Sequence, residues 1–214
     1  MFLLVVNIYR PLSFLLLMFT CIIGGFLGTG KTTLLMRIAG RCRQTGTTVA
    51  IVVNEMGEVG IDGATMKGEG YDAVELPDGC ICCSLSETLQ NALKNIDNDI
   101  HPDIIIIEPT GLALPHKVKE LVKTSLIDSD KTIVVGLADA KRFDELMQNK
   151  EEFFKRQLHA SDVILVTKVD LCEDKEVERI SAALRSMHPG RDVIRVSAVT
   201  GEGIDEAAGR ILDE

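Results

Sequence analysis

Residues Gly25-Phe26-Leu27-Gly28-Thr29-Gly30-Lys31-Thr32 follow an apolar run, Phe19 to Ile23, and open an amphipathic stretch, Lys31 to Arg43. The pattern G-x-x-x-x-G-K-[ST] between a strand and a helix admits few folds. Its glycines let the backbone curl until successive N–H groups face a phosphate, and the positive end of the helix that follows adds to the field. Gly28, Thr29, Gly30, Lys31, Thr32 and Thr33 are therefore candidate nucleotide-binding residues. Lys31 is expected to neutralise the β and γ phosphates, and the Thr32 hydroxyl to ligate Mg²⁺.

Apolar runs alternate with amphipathic stretches along the rest of the chain. Strands are expected at Thr48 to Val53, Ile104 to Ile107, Thr132 to Leu137, Val163 to Val166 and Val193 to Val196. Helices are expected at Ser84 to Ile96, Lys117 to Leu126, Arg142 to Gln157, Glu173 to Met187 and Ile204 to Leu212. Ser84-x-x-Glu87 has capping-box spacing at the start of the first of these. Strands apolar throughout and separated by helices call for a parallel sheet covered on both faces. The fold class is thus α/β, a P-loop NTPase three-layer sandwich with a mainly parallel sheet. The 214 residues, 46% hydrophobic and 26% charged, suit one such domain, and no repeat or low-complexity segment interrupts it.

The boundaries are set at 1–17 and 18–214. The apolar residues 1–17 are read as an extension outside the functional domain, arising from an upstream start codon. A membrane or partner anchor is the alternative, disfavoured because the last third of the apolar run is needed as the first strand. A net charge of −9 repels phosphate backbones, so nucleic acid is not expected as a partner.

Thr167-Lys168-Val169-Asp170 closes a strand. A carboxylate at Asp170 can accept from N1–H and the exocyclic amine of guanine, whereas adenine would leave it unpaired. The stem of Lys168 can lie across the base, and Ser197-Ala198 would supply a backbone N–H to the guanine oxygen. Ile104 to Ile107 ends in Glu108-Pro109-Thr110-Gly111, a Walker B position with Glu108 near Mg²⁺ and the Gly111 N–H available to the γ-phosphate. Partner-shuttling ATPases of this fold class carry an extra lysine early in the loop, where this chain has Gly25-Phe26.

Three of the six cysteines crowd into Cys80-Ile81-Cys82-Cys83, too close together to pair with one another. Just before a helix start, the dipole favours thiolate, and thiolates take Zn²⁺, Cu(I) or Co(II). In an extended segment Cys80 and Cys82 share a side and Cys83 points away, so a turn is needed for all three to converge. A transferable or sensing metal, a fixed structural metal, and redox or packing cysteines are the readings open to this cluster. Cys21, Cys42 and Cys172 read as small apolar side chains. The four histidines (His101, His116, His159, His188) are scattered and read as surface or packing residues, with His116 the one to test as a ligand.

G-F-L-G-T-G-K-T-T, V-N-E-M-G-E-V-G-I-D, G-C-I-C-C, E-P-T-G and T-K-V-D occur here in the order seen in the CobW family of metal-linked GTPases, relatives of UreG and HypB. The chain resembles that family from Phe19 to about Leu212. The resemblance implies that Glu55 belongs to the first switch near Mg²⁺, beside Lys31 and Glu108 as catalytic groups. It further implies that Glu58 faces Cys80, Cys82 and Cys83 as a transition-metal ligand. The function so implied is a cytoplasmic, slowly GTP-hydrolysing metallochaperone or cofactor-maturation factor, with Zn²⁺ foremost and Co²⁺ or Ni²⁺ as alternatives. Its partners would be a client metalloenzyme or assembly protein and, by nucleotide or metal, a second copy of the chain. The alternative is a regulatory GTPase gating a cofactor-dependent enzyme, with the cysteines a fixed structural site. Two departures stand out. By this resemblance the chain is expected to lack the C-terminal domain usual in CobW proteins, and its four histidines form no histidine-rich stretch, so cargo handling is expected of the GTPase domain itself or a partner.

Overall fold

The structure is a computed structural model that describes residues 18–54, 72–76, 84–125, 127 and 129–213. In chain order its elements are β1 (Met18–Gly25), α1 (Lys31–Gln44), β2 (Val49–Asn54), β3 (Asp72–Leu76), α2 (Ser84–Asp99), β4 (Ile104–Glu108) and α3 (Pro115–Thr124). There follow β5 (Ser129–Asp139), α4 (Phe143–Asn149), α5 (Glu151–Leu158), β6 (Val163–Thr167), α6 (Asp174–Met187), β7 (Asp192–Val196) and α7 (Ile204–Asp213). Among the described residues the strands form one seven-stranded sheet in the order β3-β2-β4-β1-β5-β6-β7, and every pairing is parallel.

The side-chain alternation of each strand divides the core between two faces. Cys21, Ile23, Ile104 and Ile106 pack with α1 and α7, whereas Ile22, Ile105 and Ile107 pack with α2 and α3. Beyond β5, Ile164 and Val166 meet Phe143, Phe154, Leu158, Ile180 and Leu184. Strands buried on both faces need the continuous apolar runs this chain has. Each fully buried Ile or Leu contributes about 1.5–3 kcal/mol relative to exposure.

Two expectations change. The edge strand β3 was not anticipated: its two acids leave Asp72-Ala73-Val74-Glu75-Leu76 without the apolar run that marked the other strands. The single helix expected from Arg142 to Gln157 is a 3₁₀ turn (Ala140–Arg142) followed by α4 and α5, broken at Lys150 with φ −143° and ψ 27°. The break lets Phe143 and Phe154 stack edge to face with centroids 5.8 Å apart. A straight helix would hold them about 16 Å apart along its axis.

The strand order positions the loops that carry the expected site. β1 lies between β4 and β5, and chain direction makes the carboxyl ends of β4, β1, β5, β6 and β7 one continuous edge. Ligands of open α/β sheets bind in the crevices at such an edge. No helix among the described residues is long and apolar enough to cross a membrane.

Candidate functional site

The loop after β1 turns through Gly28 at φ 78° and Gly30 at φ 85°, a left-handed conformation that costs glycine nothing. Gly30 caps α1 without a side-chain bond, and α1 has no acid in its first turn. The helix thus presents its orphan N–H groups and positive end at the loop. Thr29 is buried and braces the loop from within, its hydroxyl donating to the Phe26 carbonyl at 2.8 Å.

Lys31 and Glu108 lie buried beneath this loop, and burial acts on both. It lowers the pKa of the Lys31 ammonium, opposed by the charge of Glu108. It raises the pKa of the Glu108 carboxyl, opposed by the hydrogen bond from Thr32 and the charge of Lys31. Lys31 Nζ donates to the Phe26 carbonyl at 3.3 Å, a long bond for a charge. Thr32 Oγ1 donates to Glu108 Oε1 at 2.8 Å, and Glu108 Oε2 is buried with no partner among the described residues. Both groups lack the hydration they would have in water and call for a compensating charge. An anionic phosphate at Lys31 and a hard cation at Thr32 and Glu108 would supply it, so these residues fit Mg²⁺.

Gly111 follows Glu108 and lies against the phosphate loop; a Cβ there would stand 2.7 Å from the Leu27 nitrogen. Its carbonyl accepts from Gln157 Nε2 of α5 at 2.6 Å. Along the same edge, Thr167 Oγ1 donates to the Thr29 carbonyl at 3.0 Å and Lys168 Nζ to the Gly28 carbonyl at 2.7 Å. Lys168 Nζ also pairs at 2.7 Å with Oδ2 of the fully buried Asp139, which closes β5. These bonds hold Lys168 at φ 60°, an unusual conformation for a non-glycine residue, and tie the T-K-x-D turn to the phosphate loop. Asp170 stays exposed. Ser197 is buried and its hydroxyl accepts from the N–H groups of Val199 and Thr200 at 3.2 and 3.1 Å, while the Ala198 N–H makes no hydrogen bond among the described residues.

The sequence-predicted residues Gly28, Thr29, Gly30, Lys31, Thr32, Thr33, Glu108, Gly111, Thr167, Lys168, Asp170, Ser197 and Ala198 therefore share one edge of the sheet. Glu55, Glu58, Cys80, Cys82 and Cys83 lie outside the described residues, as does the Ser84 side chain of the expected capping box. Cys21 and Cys42 are free and buried, and burial holds both thiols above their ordinary range, Cys42 at about 11. Cys172 is only half-buried, packed against the core beside the T-K-x-D turn. His116 is half-buried in the first turn of α3.

Sequence reasoning missed Asp139, Arg142 and Gln157. Arg142 donates to the Leu27 carbonyl at 3.0 Å and lies 5.9 Å from the centroid of the Phe26 ring. Only an acid at the end of an apolar strand hinted at Asp139; nothing local marked the other two.

The sequence model of the CobW/HypB/UreG nucleotide-binding domain matches residues 19–195. The chain belongs to this family. It is 34% identical over 153 residues to the zinc chaperone YeiR of Escherichia coli K12, covering 71% of this chain and 46% of that protein. It is 31% identical over 211 residues to the zinc chaperone CobW of a Sinorhizobium species, covering 85% and 59%. The crystal structure of the hydrogenase maturation factor HypB from Archaeoglobus fulgidus superposes with a TM-score of 0.70 at 20% identity, covering 92% of this chain and 89% of that one. That likeness shows the P-loop fold alone. The Zn(II)-bound YjiA GTPase of E. coli is 28% identical with a TM-score of 0.51, over 77% of this chain and 54% of that one. The chain spans about half the length of the curated relatives it matches.

Proposed function

We propose that this chain binds GTP with Mg²⁺, hydrolyses it to GDP and phosphate, and couples the nucleotide state to a transition metal held by Cys80, Cys82, Cys83 and Glu58. The observation that supports the nucleotide half is the bonding of Lys168 to Gly28 while Asp170 stays exposed, since it ties the T-K-x-D turn to the loop read as binding phosphate. The metal half is supported by the Cys-x-Cys-Cys motif and by relatives named as zinc chaperones.

In this reading Lys31 and the N–H groups of the loop bind the β and γ phosphates, and Asp170 and the Ala198 N–H orient guanine. Thr32 and Glu108, with Glu55, hold Mg²⁺, which neutralises developing charge on the phosphates. Gly111 offers its N–H to the γ-phosphate as water attacks the γ-phosphorus, and turnover is slow without a partner. The cysteine motif lies in sequence between two switch loops, Asn54 to Asp62 and Glu108 to Pro115, so one rearrangement around the γ-phosphate changes its geometry. Zn²⁺ is the cargo favoured, with Co²⁺ or Ni²⁺ as alternatives, and the client is a metalloenzyme or cofactor-assembly protein in the cytoplasm. Pairing with a second copy across the switch face is proposed by analogy with the family.

The test is titration of the reduced protein with Zn²⁺ and Co²⁺, first with GDP and then with a non-hydrolysable GTP analogue. A shift in affinity between the two states that vanishes in Cys82→Ser is the expected result. Equal affinity in both states would overturn metal coupling and leave a regulatory GTPase with a fixed structural metal.

A further inference from the structure

Helix α5 touches two parts of the site at once. Phe153 packs edge to face on Phe26 of the phosphate loop, with centroids 5.7 Å apart. One turn further on, Gln157 donates from Nε2 to the Gly111 carbonyl at 2.6 Å. Residues four apart share a helix face, so α5 presents both contacts from one side. The partners they hold are themselves in contact, because Gly111 lies so close to Leu27 that a single added carbon would overlap its nitrogen.

Gln157 is 1% exposed, and so long a polar side chain is seldom buried without a specific partner. Its other amide atom, Oε1, has no hydrogen-bond partner among the described residues, and neither does the buried Thr110 Oγ1 next to Gly111. An acceptor on α5 and a hydroxyl on the loop thus stand in reserve beside the bond already made between them. A second arrangement of the Glu108 to Gly111 segment could draw on them without leaving buried groups worse satisfied than now.

We propose that Gln157 is the positioning residue of the γ-phosphate-sensing loop: it holds the Gly111 carbonyl so that the Gly111 N–H meets a triphosphate, and it passes the loop's state to α5. This rests on the GTPase reading above. Gln157 touches no phosphate in this scheme and acts only through Gly111. Phe153, by contrast, supports the phosphate loop, which serves GDP and GTP alike.

The experiment compares Gln157→Met, which keeps the length and loses the donor, with Phe153→Leu. For each variant, affinities for GDP and for a non-hydrolysable GTP analogue are measured, together with kcat. In Gln157→Met, GDP affinity is expected to stay within about twofold while analogue affinity and kcat fall about tenfold; in Phe153→Leu both nucleotides weaken together. An unchanged ratio of the two affinities in Gln157→Met would overturn the proposal. Absence of guanine-nucleotide binding by the native chain would instead overturn the GTPase reading. Should Gln157→Met fail to fold, hydrogen exchange on the native chain decides. Protection of residues 108–114 and 151–158 is expected to change together between GDP and the analogue, and a change in the first segment alone overturns the link.

Discussion

At the scale of single residues, the site is a set of charges deprived of water and held in place by neighbours. Lys168 shows this most directly. Its left-handed backbone costs about 1 kcal/mol, and it persists because the ammonium is held by Asp139 and by the Gly28 carbonyl. Lys168→Met keeps the stem but leaves the Asp139 carboxylate buried without its counter-ion. Because the lysine side chain is 33% exposed, the expected loss is about 1–2 kcal/mol rather than the larger cost of breaking a fully buried pair. Urea denaturation checks it through a lower midpoint at unchanged slope. His188 gives a pH prediction. Burial first, then the neighbouring charges of His159 and Arg191, lower its pKa, so the folded protein keeps it neutral where the unfolded chain would protonate it. The unfolded state therefore binds more protons below about pH 6.5, and stability is lost as pH falls from there toward the depressed folded value. Stability measured between about pH 7 and 5 is expected to decline in the native chain and to decline less in His188→Gln. Equal slopes would exclude His188 as the cause.

At the scale of elements, close approach is what brings the Glu108 to Pro115 segment to the phosphate loop. Gly24, at the end of β1, lacks the carbon that would stand 2.2 Å from Pro115 Cγ, so the first turn of α3 sits directly on the strand. Gly24→Ala must move Pro115, and with it the segment from Glu108 onward. A loss of about 1–3 kcal/mol is expected, with weaker binding of a GTP analogue than of GDP. Denaturation and nucleotide titration on the same variant separate the two effects. What was legible beforehand follows the same division. Phosphate loop, Walker B strand and T-K-x-D turn are contiguous motifs, so residue types at fixed spacing carry them. The contacts that brace them from elsewhere span the chain: Gln157 to Gly111 across 46 positions, Arg142 to Leu27 across 115. No local pattern encodes such pairs. The break at Lys150 was hidden for a similar reason, since α4 and α5 each read as helix and only the meeting of Phe143 with Phe154 folds one back on the other. Edge strand β3, interrupted by two acids, carried no apolar run to mark it.

At the scale of the whole molecule, five adjacent strands place their carboxyl ends in the order β4, β1, β5, β6, β7, which separates the chemistry along one edge. In the proposed reading, Glu108 at the end of β4 and the loop after β1 serve the phosphates and Mg²⁺. Asp139, the last residue of β5, ties the loop after β1 to the turn after β6 through Lys168, and the turns after β6 and β7 would select the base. A ligand that spans this edge touches loops from every one of these strands, so binding must appear as stability of the whole domain rather than of one loop. Free ligand at about 100 times its Kd adds about 2.7 kcal/mol to a protein that binds it only when folded. For a domain of this size each kcal/mol moves Tm by about 2–4 °C, so saturating GTP or GDP with Mg²⁺ is expected to raise Tm by about 5–11 °C. ATP at the same concentration should give no comparable rise, because Asp170 would face an edge without donors. Asp170→Asn refines the test. An amide in that place can donate to the carbonyl oxygen that xanthine carries where guanine carries an amine. The variant should therefore lose its response to GTP and gain one to xanthosine triphosphate. Retained stabilisation by GTP in Asp170→Asn would mean that guanine is selected elsewhere on the edge, and the reading of the turn after β6 would fall while that of the phosphate loop stood.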